Sequence, residues 1–116
     1  MIHNKKKLSK IVEELTVFFF GIGGTNMSSN IKYTPEEAFI TFESDFSKEH
    51  LHKVESMGRL LNQQYDEGVE DTYWELMGSG DPGESSQLLL VGMMVDTAEV
   101  DIKDEYVKVR MYKKLP

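Results

Sequence analysis

No cysteine occurs among the 116 residues of this chain, so disulfides, thiolate metal sites and cysteine nucleophiles are excluded together. Long apolar runs are missing as well. The runs 17–20, 88–91 and 93–95 fall far short of the ~20 residues that a membrane-spanning helix needs. There is no apolar signal-peptide core near residue 1, and together with the lack of cysteine this points to the cytoplasm. Histidine is scarce, with three residues. His50 and His52 stand two apart on an expected helix and so point to different faces. Glu49, His52 and Glu55 have the spacing to begin a metal site, but no second Glu/His pair completes one, and surface ion pairing is the reading adopted. No metal is expected.

Basic charge is nearly absent from the middle of the chain. Residues 36–105 carry 18 acidic side chains and four basic ones (Lys48, Lys53, Arg59 and Lys103), and the formal net charge is −7. Such a body repels nucleic acid and anionic membrane surfaces, which disfavours both as partners. The cluster Lys5, Lys6, Lys7 and Lys10 reads as the solvated start of a helix. Catalytic signatures are also lacking. Ser85 and Ser86 have no nearby base and read as helix caps. No carboxylate sits on an otherwise apolar strand, where burial would raise its pKa.

What is present is an ordinary globular composition, 40% apolar and 28% charged, in a length that buries roughly two-thirds of its unfolded surface. Residues 1–116 are therefore read as one domain. Leu8, Ile11, Val12, Leu15, Phe18, Phe19 and Ile22 recur at helical spacing, and Gly21, Gly23 and Gly24 end that helix. The stretch "GTNMSSN" reads as a turn-rich connection, followed by a short strand at Ile31 and Tyr33, a turn at Pro35, and a strand in which Ala38, Ile40 and Phe42 alternate. Ser47 caps a helix bearing Leu51, Val54, Met57, Leu61 and Tyr65 on one face. A shorter helix over 69–77 follows Gly68. The apolar run from Leu88 to Val95 predicts a helix covered on most sides. Two alternating strands (Ala98, Val100, Ile102; Val107, Val109, Met111) close the chain around a Lys103–Asp104 turn. The order αββ-αα-αββ predicts an α+β two-layer sandwich: a mainly antiparallel four-stranded sheet of two hairpins, covered by helices on one face.

The segment "GSGDPGESSQLLL" places Gly78, Gly80 and Gly83 at phosphate-loop spacing. A phosphate cradle needs converging backbone N–H groups and usually a nearby cation. Here Asp81, Glu84 and Glu75 surround the glycines, no basic residue lies between Arg59 and Lys103, and an expected helix rather than a strand precedes the loop. Asp81-Pro82-Gly83 makes a good turn unaided.

Two segments, "IVEELTVFFFGIGGTN...YTPEEAFITFESD" and "GSGDPGESSQLLLVGMMVDTAEVDIKDEYVKVRMYKK", together resemble the histidine-kinase-type ATPase domain in the small form found in bacterial anti-sigma factors. They span about two-thirds of the chain. The resemblance implies a bacterial regulatory protein whose first helix leads into a hairpin and whose glycine-rich lid precedes a buried helix. It also implies where the cofactor machinery has been lost. The family's magnesium-binding Asn lies four residues after a Glu, and here Glu14 is followed at that spacing by Phe18 and Glu13 by Val17. Neither can ligate a hard cation. Asp45 is the nearest match to the family's adenine-reading Asp, yet "SDFSKE" lacks the accompanying glycine.

The aromatics point elsewhere. Phe18 and Phe19 face the core, whereas Phe20 lies ~100° round the helix from Phe19 and is hard to bury in two layers. Tyr73 and Trp74 are adjacent on a short acidic helix, so at least one is expected at the surface, while Trp74 equally suits a plug beneath the loop. The expectation is a non-catalytic regulatory or protein-interaction module, binding a protein partner or forming a homodimer around Phe20, without a cofactor. The alternative is a small-ligand or nucleotide-binding protein taking ATP or ADP with magnesium through loop 78–84, Glu14 and Asp45.

Overall fold

The computed structural model describes residues 2–62 and 84–115. The first helix, α1 (Ile2–Gly21), buries a single stripe: Leu8, Ile11, Leu15, Phe18 and Phe19, continued by Ile22 just beyond its end. It stops because Gly23 takes φ 88°, a left-handed conformation that costs glycine nothing. The chain then folds back, and the Gly24 N–H donates to the Phe19 carbonyl at 2.7 Å.

Strand β1 (Met27–Tyr33) pairs antiparallel with β2 (Glu37–Asp45) from Met27↔Ser44 to Tyr33↔Ala38. It is longer than the sequence suggests. Ser28, Ser29 and Asn30, expected in a turn, are strand residues, because the reversal is completed within Thr25 and Asn26, whose backbone amides are held by Asp45. Pairing with β2 thus overrides the poor strand propensity of the serines and asparagine.

After Phe46 the single expected helix is broken. A 3₁₀ turn (Lys48–His50) leads to α2 (Leu51–Glu55) and then to α3 (Met57–Asn62). Ser47 does stand at the cap position, but its side chain makes no capping hydrogen bond; its backbone N–H donates instead to Ile22 O at 2.9 Å. Ser56 marks the break, its hydroxyl donating to Lys53 O at 2.8 Å in competition with the helical ladder. The expected face survives, with Val54, Met57 and Leu61 buried. The helix expected over 69–77 and Tyr65 lie outside the described residues.

Helix α4 (Glu84–Met94) extends upstream of the apolar run, so Ser85 and Ser86 fall in its first turn rather than before it. Leu88, Val91 and Val95 are buried and the remaining apolar residues half-buried, as an all-round apolar pattern requires. Strands β3 (Thr97–Lys103) and β4 (Tyr106–Lys114) close the fold. Their turn is Asp104-Glu105, one residue later than expected, because Lys103 still pairs with Tyr106 and Asp104 takes the positive φ of 55°.

The sheet runs β1-β2-β4-β3, antiparallel throughout. Ala38, Ile40 and Phe42 of β2, with Val107, Val109 and Met111 of β4, form its buried face against the helices. Thr41, Glu43, Lys108 and Arg110 alternate onto the other face. This is the expected α+β two-layer arrangement, and it leaves β1 and β3 as the two sheet edges.

Candidate functional site

The interior between α1 and the sheet is filled by aromatic rings. Phe19 stacks on Phe42 with centroids 5.5 Å apart, and Phe18 meets Phe19 edge-on at 5.1 Å. Phe18, Phe19 and Leu88 are 1% exposed or less. Glu14 itself is buried on the flank of α1, where its carboxylate pairs with Lys10 Nζ at 2.9 Å. The i, i+4 spacing on one helix accounts for that pair without any ligand.

Asp45, at the end of β2, is engaged differently. One carboxylate oxygen accepts from the N–H groups of Thr25 (2.7 Å) and Asn26 (2.9 Å), and the other accepts from the Thr25 hydroxyl (2.5 Å). The Thr25 hydroxyl first, and then the two amides, lower its pKa from 3.8 to about 2. The carboxylate therefore fastens the α1–β1 connection onto the sheet. Glu14 and Asp45 have separate partners and do not form one constellation. Gly78, Gly80, Gly83, Tyr73 and Trp74 lie outside the described residues.

Phe20 stands where its helical position implies, 66% exposed at the end of α1. With Thr16 of α1 and Met27 and Ser29 of β1 it lines a groove of about 340 Å³. At the other end of the same border, Asn4, Lys5 and Leu8 of α1 face Tyr33, Thr34 and Pro35 around a second groove of about 380 Å³, floored by Leu115. Helix α1 thus runs antiparallel to β1 with an open seam between them. Ile31 and Tyr33 point to the helix side of the sheet, in register with buried Ile40 and Ala38, yet remain 37% and 53% exposed. Apolar side chains on the core side of a sheet, uncovered at one edge, distinguish this border from a solvated face.

The opposite edge is capped at Ala98 by a residue that sequence reasoning passed over. Asn62, the last residue of α3, accepts from the Ala98 N–H at 2.7 Å through Oδ1 and donates through Nδ2 to the Ala98 carbonyl at 2.7 Å. Its amide thereby imitates a neighbouring strand at β3. Nδ2 also donates to Gly58 O at 2.7 Å, which fixes the orientation of the amide. The only signal in the sequence was an asparagine ending an apolar-faced helix, which does not reveal a partner 36 residues away.

Among the described residues no three His, Asp or Glu side chains converge as a metal site requires, and no helix is long and apolar enough to cross a membrane. Comparison with protein-family models, with curated proteins and with solved structures finds no match for this chain.

Proposed function

We propose that this protein is a non-catalytic regulatory module of bacterial type that acts by binding another protein surface through the border between α1 and β1. The observation that carries the reading is Phe20, two-thirds exposed beside an edge strand whose helix-side residues are also uncovered. A large exposed aromatic at the rim of a groove is the usual anchor of a protein contact. In keeping with the resemblance to anti-sigma-type ATPase domains, the module keeps that family's helix–hairpin order. Phe18 stands where the magnesium ligand would be required, and its ring is committed to the core.

A thermal-shift titration with ATP, ADP and GTP, each with and without magnesium, tests the non-catalytic part. A ligand at 100 times its Kd adds about 2.7 kcal/mol of stability, several degrees in a domain of this size. The expected result is no shift. A magnesium-dependent rise would replace the reading with nucleotide binding through loop 78–84 and Glu14. The surface itself is tested by Phe20→Ser, which should leave Tm within a degree or so of wild type while weakening association.

A further inference from the structure

The two edges of the sheet are treated differently. At β3, Asn62 occupies the outward N–H and C=O of Ala98, while Glu99 and Asp101 reach back over the sheet to Arg110 of β4. Native sheets blunt exposed edges by such means because unpaired strand groups invite another strand. Strand β1 carries one charge, Lys32, but among the described residues no side chain is bonded to its outward backbone groups as Asn62 is to those of Ala98. Six of its seven residues are exposed and it has one strand neighbour, β2.

Which groups point outward follows from the hairpin. The Thr34 N–H donates to Glu37 O at 2.9 Å, so that pair is hydrogen-bonded and Tyr33↔Ala38 is not. Antiparallel pairs alternate, and the backbone groups of Met27, Ser29, Ile31 and Tyr33 therefore face away from β2. These are the residues whose side chains lie on the helix side of the sheet. The open edge and the uncovered apolar strip are one surface.

We propose that the occupant of this surface is a second copy of the chain, its β1 running antiparallel to the first about a two-fold axis at Asn30. The proposal rests on the interaction reading above. In this register Met27 of one copy lies opposite Tyr33 of the other, and Ser29 opposite Ile31. All four outward residues of each strand then meet outward residues, which gives hydrogen-bonded pairs on both sides of Asn30. Tyr33 of the second copy is brought against Met27, at the groove whose rim is Phe20, and the symmetry repeats that contact at the other end.

Charge agrees with the pairing. Lys32, which forms no ion pair among the described residues, lies opposite Ser28 of the other copy. Ser28 donates to Glu43 Oε2 at 3.3 Å, so each Lys32 ammonium arrives in the row that ends in the other chain's Glu43. No like charges face each other across the junction. Both sets of helices lie on the same side of the joined sheet. Strand spacing of ~4.8 Å brings the two grooves lined by Phe20 and Thr16 to the same junction.

The chain has no native thiol, so one cysteine reads the register directly. At a non-hydrogen-bonded pair on the axis the two Cα atoms of residue 30 stand ~4.5 Å apart, within disulfide reach, whereas those of residue 32 are four residues out of step. Sedimentation equilibrium from micromolar to millimolar chain, with oxidative cross-linking of Asn30→Cys, Lys32→Cys and Asp101→Cys, is the experiment. Expected are a dimer weakened by Phe20→Ser, a covalent dimer from N30C, and none from K32C or from D101C on the capped edge. A dimer weakened by Phe20→Ser without N30C cross-linking would overturn the register and leave the surface standing. A dimer indifferent to both changes would overturn the surface as well. A monomer at every concentration would overturn the second copy as occupant.

Discussion

Replacing Asn62 by alanine removes both hydrogen bonds to Ala98 and the return bond to Gly58. Each intramolecular hydrogen bond contributes about 1 kcal/mol net, more where the abandoned group stays out of water. Asn62 is exposed, so water can reach the Gly58 carbonyl, and the cost comes mainly from Ala98, which is 8% exposed. The loss should therefore be about 2 kcal/mol. With an unfolding entropy of about 2.1 cal/mol/K per residue, a chain of 116 residues changes by about 0.24 kcal/mol per degree, so Tm should fall by about 8 °C.

Thermal unfolding followed by far-UV circular dichroism measures this, and amide exchange at Ala98 locates it. The conservative partner is Asn62→Asp. At neutral pH the new carboxylate still accepts from the Ala98 N–H but cannot donate, and it meets the Ala98 carbonyl unfavourably. Below the ordinary aspartate range the protonated acid regains a donor. The Tm gap between the Asn62→Asp variant and wild type should accordingly narrow as pH falls from about 6 to about 3. An Asn62→Ala protein melting within a degree or two of wild type, with Ala98 exchange unchanged, would refute the claim that this amide caps the β3 edge at Ala98.

Three further outcomes follow from the geometry. Gly23→Ala must carry a side chain at φ 88° with its Cβ 2.9 Å from Ser47 Cβ, and should cost about 1–3 kcal/mol in urea unfolding. Asp45 has a folded pKa of about 2 against 3.8, so its contribution to stability is present above ~4 and is lost as pH falls towards 2; Asp45→Ala should flatten that acid limb in a Tm-against-pH series. Lys113 has its pKa lowered by desolvation and then by Lys7, so the folded state disfavours its charge. Lys113→Met should therefore raise Tm at about pH 7, and the gain should shrink as pH approaches about 10, where the wild-type lysine sheds its proton more readily when folded.

Local rules carried most of the architecture. The spacing from Leu8 to Ile22 and the alternation from Ala38 to Phe42 each encode a buried face within a few residues, so helix, hairpins and layer order were legible. Phe20 was legible for the same reason, since its angle on α1 is fixed by its neighbours. What failed was set by tertiary partners. The start of β1 depends on Asp45 reaching back 20 residues to Thr25, and the break at Ser56 depends on a hydroxyl choosing a backbone carbonyl. The candidate surface was half visible: the aromatic could be named, but not the edge strand beside it, because Ser28, Ser29 and Asn30 look like turn residues. Asn62 was invisible, its role existing only once α3 lies beside β3.

The asymmetry between the edges also bears on how far association can proceed. A strand pairing with its own symmetry mate is isologous, so each β1 is consumed by one contact. Growth beyond two copies would need β3, where Asn62 fills the backbone groups of Ala98 and the Asp101 and Glu99 carboxylates stand 2.6 Å and 3.9 Å from Arg110 Nη1. A second chain arriving there would have to displace the amide from Ala98. Association through β1 should therefore stop at the dimer in a sedimentation series, with a sharp mass limit and no drift at high concentration. Species growing steadily past two copies would mean that β3 is not capped, and that the contrast between the edges is not what directs assembly.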